Sequence, residues 1–243
     1  MYIYHMSESG NYILEIAAFS AEAAIIAAEA GADRIELCSA YEAGGLTPTA
    51  GTLKFVKAHT QIPVYVMIRP RGGDFCYTDD EIAIMIHDIH ELKNCGADGF
   101  VAGALTGDGH VHVQQVEQLL HAASPLPFTF HRAFDVCVDQ MAALEKLKAI
   151  GVQRILSSGG KRSAFEGMQQ LAALQKSAAK EIIIMPGAGI HPENLEIIRK
   201  TTGCREFHAS AKSAAAANDA FGFGVHILPD PELIRQMKRT LSL

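Results

Sequence analysis

Apolar runs of strand length, rich in Ile, Val and Phe, alternate along this chain with longer stretches whose apolar residues recur at helical spacing. The short runs fall at 13–17, 34–38, 64–68, 99–102, 128–131, 154–157, 181–185 and 206–208. Helices are predicted over 21–30, 51–58, 79–94, 113–122, 141–150, 164–176, 192–200 and 231–240. Gly31, Gly96 and Gly151 each fall just past a predicted helix, where a left-handed residue ends it at least cost. Pro192 stands where a first helical turn accepts it. Strands separated by helices cannot be joined by hairpins and must pair in parallel. Eight such units in 243 residues predict an α/β fold, a closed (β/α)8 TIM barrel forming a single domain over 1–243. An open doubly wound sheet is the main rival, and it would leave shorter or more polar edge strands that the chain does not show.

Composition narrows the class. The chain is 49% hydrophobic and 20% charged, enough apolar material for one large core. A net charge of −6 argues against a nucleic-acid partner. Cys38, Cys76, Cys95, Cys137 and Cys204 are odd in number and contain no CxxC, which favours a reducing cytoplasm over a disulfide scaffold. No run approaches 18 apolar residues, and the polar 1–11 segment lacks the pattern of a signal peptide, so no membrane span is expected. The Ala-rich 213–218 stretch reads as a mobile loop, and apolar residues on the outer helices favour a homo-oligomer.

In a parallel barrel the chemistry gathers at the carboxyl ends of the strands. Those ends carry Glu15; Glu36 and Cys38; Arg69, Arg71 and Asp74; Thr106 and Asp108; His131, Arg132 and Asp135; Ser157 and Ser158; Gly187 and Gly189; and His208 and Ser210. Glu15 and Glu36 interrupt apolar strands, and a buried carboxylate needs a cation, a metal or a proton. Either one paired with Arg69 would be purely structural; either one free would be a general base tuned by burial. His131 reads as a structural hydrogen-bonding residue or as a proton shuttle. Together with His208 and the two glutamates it offers a divalent-metal donor set, although no HExxH or HxH spacing supports one here; His110 and His112 sit in a Gly-bearing turn expected to be exposed.

Arg69 and Arg71 supply the fork geometry that clamps a carboxylate or phosphate. Ser157, Gly187, Gly189 and Ser210 lie in small-residue loops after strands six to eight, where backbone N–H groups can face an anion, or where Gly merely makes tight turns. Cys38, with Cys76, Cys137 or His131 as helpers, provides the soft donors that suit Cu(I); Cys95 and Cys204 read as packing residues.

The segments IELCSAYEAGGLTP, IRPRGGDF, TFHRAFD, ILSSGGKRSA, MPGAGIHPENL and EFHASA resemble the CutC family, from about Leu14 to Lys212. The resemblance implies a TIM barrel and a role in copper homeostasis, with Cys38 as the implied copper ligand. Ala17 departs from the family pattern, which often has a second Cys there. Two functions follow: a copper-handling protein, which the resemblance implies, or an enzyme acting on a small anionic or phosphorylated substrate. In the second, Glu15 or Glu36 is the base, His131 shuttles a proton, Arg69 and Arg71 clamp the anion, and Ser157, Gly187, Gly189, His208 and Ser210 surround it.

Overall fold

A computed structural model describes residues 12–212 and 226–242. The polar 1–11 segment and the 213–218 stretch lie outside the described residues. Eight strands alternate with eight α-helices: β1 (Ile13–Ala18), α1 (Ala21–Glu29), β2 (Arg34–Leu37), α2 (Ala50–His59), β3 (Val64–Met67), α3 (Asp79–Asn94), β4 (Gly99–Ala102), α4 (Val113–Ala123), β5 (Phe128–Phe130), α5 (Gln140–Ala149), β6 (Arg154–Ser157), α6 (Met168–Ala178), β7 (Ile183–Pro186), α7 (Pro192–Thr202), β8 (Glu206–Ala209) and α8 (Pro231–Leu241). Local chemistry sets the helix starts. Ser20, Thr49, Asp139 and Asp230 accept backbone N–H groups at the starts of α1, α2, α5 and α8, and Thr78 forms a capping box with Glu81 ahead of α3. No helix among the described residues is long and apolar enough to cross a membrane.

The strands form one parallel sheet in the order β7-β6-β5-β4-β3-β2-β1-β8. Its two outer strands come together: a Cβ built on Gly187, just after β7, would lie 3.4 Å from Cβ of His208 in β8. The sheet thus curls into a nearly closed barrel. The larger apolar core fills the layer between barrel and helices, while a smaller one of Cys38, Tyr65, Met67 and Val101 lies inside the barrel.

Two expected starts move by two residues or more. Helix α6 begins at Met168 instead of 164, because 158–167 folds back on itself. Gly167 packs so tightly there that an added Cβ would stand 1.8 Å from the Ser158 carbonyl oxygen, and Ala164 N–H donates to Ala188 O at 2.9 Å. Strand β7 begins at Ile183 instead of 181, because left-handed Ala179 and Lys180 (φ 49° and 67°) lengthen the turn before it.

The barrel floor is charged. Arg34 Nε donates to Glu15 Oε2 at 2.5 Å and its Nη2 to Glu206 Oε2 at 2.6 Å, while Arg154 Nε reaches the same Glu206 oxygen at 2.6 Å. Both guanidiniums lie over the Tyr65 ring, 4.8 and 5.5 Å from its centroid. Gly99 makes room for that ring, since a Cβ there would come within 2.7 Å of it. Gly99→Ala is therefore expected to destabilise by about 1–3 kcal/mol through overpacking. Gly107→Ala, whose Cβ meets nothing within 4 Å, serves as the control in denaturant unfolding and should leave the midpoint unchanged.

Candidate functional site

Strand alternation turns Ala17, Glu36, Cys38, Met67, Arg69, His131, Leu156 and His208 toward the carboxyl end of the barrel, where they line a cavity of ≈ 190 Å³ with Phe75, Gly189 and Ser210. That volume lies below the usual range of drug-sized ligand pockets and suits a small molecule. The rim loops are held in unusual backbone conformations. Ala40, Ala188 and Ala211, following β2, β7 and β8, are left-handed with φ of 50°, 75° and 47°. Such residues persist only where the surroundings enforce them.

On one side of the mouth, His208 stands between two carboxylates. Its Nδ1 lies 2.7 Å from Glu15 Oε1, and its Nε2 lies 3.8 Å from Glu36 Oε2. Glu15 is fully buried; burial pushes its carboxyl up, but Arg34 and His208 more than reverse this and hold it well below the usual range. Glu15 is therefore ionised, and Nδ1–H of His208 donates to it. Burial works against a charged His208, yet Glu36 and Glu15 outweigh it and raise its pKa. For Glu36, burial and the neighbouring Glu15 raise the pKa above the ordinary carboxylate range. Its Oε2 accepts from Cys38 Sγ at 3.5 Å, and its Oε1 has no partner among the described residues. Burial and the Glu36 charge push the Cys38 thiol well up, so it is a thiol and not a thiolate.

Across the mouth, Arg69 is buried at 5% exposure. Its Nη1 donates to the carbonyls of Ala43 (2.7 Å) and Gly45 (3.2 Å), and Nη2 to that of Gly73 (2.8 Å). Carbonyls orient the guanidinium without neutralising it, and no carboxylate forms an ion pair with it among the described residues. Phe75 packs against both Arg69 and His131, with the Arg69 Cζ 4.9 Å and the His131 ring 4.8 Å from the Phe75 centroid. His131 Nδ1 accepts from Ala133 N–H at 3.2 Å, which ties it to the 3-10 turn Arg132–Val136. Burial and the Arg69 charge pull its pKa down to about 3.

The sequence-based candidates thus divide. Glu36, Cys38, Arg69, His131, Gly189, His208 and Ser210 line the cavity, and Glu15 lies beneath it in contact with His208. Arg71 is not among the lining side chains. Its guanidinium is held by Glu81 at 2.5 Å and Asp74 at 3.0 Å, beside the Tyr77 ring. Ser157 is likewise engaged elsewhere, donating to Asp135 Oδ1 at 2.6 Å. Asp135 also accepts from the N–H groups of Ser158 (2.9 Å) and Gly160 (3.2 Å), so the β6 loop points these donors at an internal carboxylate. Gly187 contributes space: a Cβ there would stand 2.5 Å from Leu156 Cδ1.

The structural pair expected between Arg69 and a glutamate is formed instead by Arg34 with Glu15. Among the described residues the donor atoms of Glu15, Glu36 and His208 lie within 4.8 Å of one another, and His131 is not part of that group. His112 is half-buried and accepts from Gln115 N–H at the start of α4, where exposure was expected. Cys76 and Cys137 line no part of the cavity and, like Cys95 and Cys204, pack with the core. Arg34, Arg154, Glu206, Met67 and Phe75 went unnoticed in the sequence. The signal for the first three was present in charged residues at alternate positions of predicted strands.

Comparison with known proteins gives concordant results. The CutC family model matches residues 12–213. A human protein named copper homeostasis protein cutC homolog is 49% identical over 205 residues, covering 84% of this chain and 75% of its own length. A family protein CutC of Xylella fastidiosa strain Temecula1 is 43% identical over 236 residues, covering 94% and 88%. The crystal structure of a proposed copper homeostasis protein CutC from Streptococcus agalactiae superposes with a TM-score of 0.78 at 36% identity, covering 82% of this chain and 98% of that one.

Proposed function

The chain belongs to the CutC family, and from that premise we propose that it serves copper homeostasis, the role its relatives are named for, as a catalyst of proton transfer on a small anion bound in the rim cavity. The observation that carries this reading is Arg69: a buried guanidinium at a cavity wall, held by three carbonyls and paired with no carboxylate among the described residues. A buried charge without a counter-ion is costly, and an anionic ligand supplies one. Glu36, with its raised pKa and unpartnered Oε1, is the base. Glu15 positions His208 by fixing which ring nitrogen carries the bond, leaving Nε2 toward Glu36. His208 gives the proton back, while Gly189 and Ser210 border the anion.

A thermal-shift screen of small mono- and dianions, inorganic phosphate included, is expected to give ligands that protect the fold. At a hundred times the dissociation constant the gain is about 2.7 kcal/mol. Arg69→Ala should remove that protection. Absence of any protecting anion, or protection that survives in the variant, speaks against this reading.

A second reading, direct Cu(I) binding, is favoured by one observation. Cys38 and Met67 belong to one packed cluster, and both line the cavity that His131 and His208 also line, which brings a thiol and a thioether to one wall. Against it, the thiol must lose a proton that Glu36 helps it keep, and Ala17 leaves the cavity without a second thiol. Titration with Cu(I) against a competing chelator separates the two. The catalytic reading expects wild type and Cys38→Ser to bind alike; tight stoichiometric binding lost in the variant would establish copper as the ligand. Cytoplasmic placement accords with five unpaired cysteines, and the exposed Val136, Val138 and Met141 suit a homo-oligomer contact.

A further inference from the structure

We propose that the ligand is a carbonyl compound with an acidic neighbouring C–H, and that His131 stabilises the oxyanion formed from it by donating a hydrogen bond from neutral imidazole Nε2–H. This rests on the anion-and-proton-transfer reading above and adds the substrate class and the reaction.

The tautomer follows from geometry. Ala133 N–H donates to His131 Nδ1, so that nitrogen carries a lone pair and, in the neutral ring, the hydrogen is on Nε2. Nε2 is buried without a partner among the described residues, in a side chain that lines the cavity. An unpaired buried donor costs about 1–3 kcal/mol, which a ligand oxygen would recover. Burial and the neighbouring Arg69 keep the ring uncharged over the physiological range. A neutral imidazole held this way donates without surrendering its proton, which suits a developing enolate.

Strand order brings the reacting groups face to face. In an eight-stranded barrel β5 lies opposite β1, and β1 is flanked by β2 and β8. His131, following β5, therefore faces Glu36 and His208 across the mouth. A carbonyl oxygen at His131, beside the Arg69 charge, leaves the adjacent carbon on the side of Glu36 Oε1. Phe75 lies against both Arg69 and His131 and keeps the oxyanion side apolar, where a hydrogen bond counts for more. In the step itself the C–H bond breaks and its proton passes to Glu36 Oε1. The C–H electron pair becomes the C=C bond, and the carbonyl π pair moves onto oxygen. Return of the proton by Glu36 or His208, to the same or the neighbouring carbon, gives epimerisation or isomerisation. Electrons balance without an oxidant or reductant.

The test uses the full chain with oxalate, a planar dianion resembling a two-carbon enolate, and inorganic phosphate as the plain-anion control. Imidazole ¹⁵N NMR of the wild type is expected to show His131 as the Nε2–H tautomer from pH 5 to 8, with oxalate shifting that N–H. In His131→Phe, oxalate affinity should fall about tenfold or more while phosphate affinity holds. An Nδ1–H or charged His131, or oxalate bound equally by wild type and variant, overturns the inference and leaves the anion reading standing when phosphate binding still depends on Arg69. Failure of wild type to bind either anion removes both. Should His131→Phe not fold, the wild-type tautomer and the oxalate-induced shift decide the matter.

Discussion

Arg34→Met is expected to destabilise the barrel by about 3–5 kcal/mol, because it strips buried Glu15 of its guanidinium partner and leaves Glu206 with Arg154 alone. Arg34 bonds Glu15 and Glu206 at 2.5 and 2.6 Å and lies over the Tyr65 ring, and Glu15 is wholly inaccessible. In a domain of this size the loss is a fall in Tm on the order of 10 °C. Glu15→Gln combined with Arg34→Met should lose much less than the sum of the two, since it removes the uncompensated charge together with its partner. Denaturant unfolding of the four proteins of that cycle measures the coupling; additive losses would show that the ion pair does not hold the floor together. The same network governs acid stability. Glu15 and Glu206 both have pKa values below the ordinary 4.5, despite burial, because of Arg34, Arg154 and His208. Carboxylates depressed in the folded state contribute stability above their unfolded value and lose it as pH falls below about 4.5. The Glu15→Gln/Arg34→Met protein should accordingly show a shallower loss of stability with acid than wild type.

Glu36→Gln is the second large effect, on chemistry and not on folding. Removing the proposed base should slow exchange of a bound carbonyl ligand's C–H with solvent deuterium by about 10²–10⁴-fold, read by NMR. The fold should be unharmed or slightly firmer, since burial and Glu15 already disfavour the Glu36 charge. The variant carries its own control: with the Glu36 charge gone, the Cys38 thiol should titrate lower, moving the pH profile of its alkylation toward neutrality. The proposed proton transfer should quicken with pH as Glu36 ionises, starting above the usual carboxylate range. It should slow again as His208 loses its proton at a pKa raised by Glu36 and Glu15. The two limbs belong to the coupled pair. Unchanged exchange in Glu36→Gln would assign the base elsewhere.

Much of this architecture was legible in the chain. Periodicity located the eight strands and eight α-helices found among the described residues, because a half-turn alternation and a 3.6-residue repeat are local properties that survive any packing. Helix α3 lies over the predicted 79–94, since a capping box writes its start into Thr78 and Glu81. Convergence of Glu36, Cys38, Arg69, His131 and His208 at one rim follows from barrel closure and strand direction alone. Less was legible where a side chain had to choose among partners. Arg69 and Arg71 stand two residues apart in one loop, yet Arg69 enters the cavity while Arg71 is taken by Glu81, ten residues on.

What the sequence determined by itself is the class of fold and the set of residues able to reach a common mouth. Hydrophobic period, cap residues and turn glycines act over a few positions, and each can be read in place. Only the tertiary structure decided the pairings: Glu15 with Arg34 and His208, Ser157 and the β6 loop with Asp135, and Arg69 with three carbonyls and, among the described residues, no acid. A buried charge selects among partners by distances of a few ångströms, from residues up to 193 positions away, as for Glu15 and His208. Those distances are set by register and barrel curvature, which no local pattern encodes.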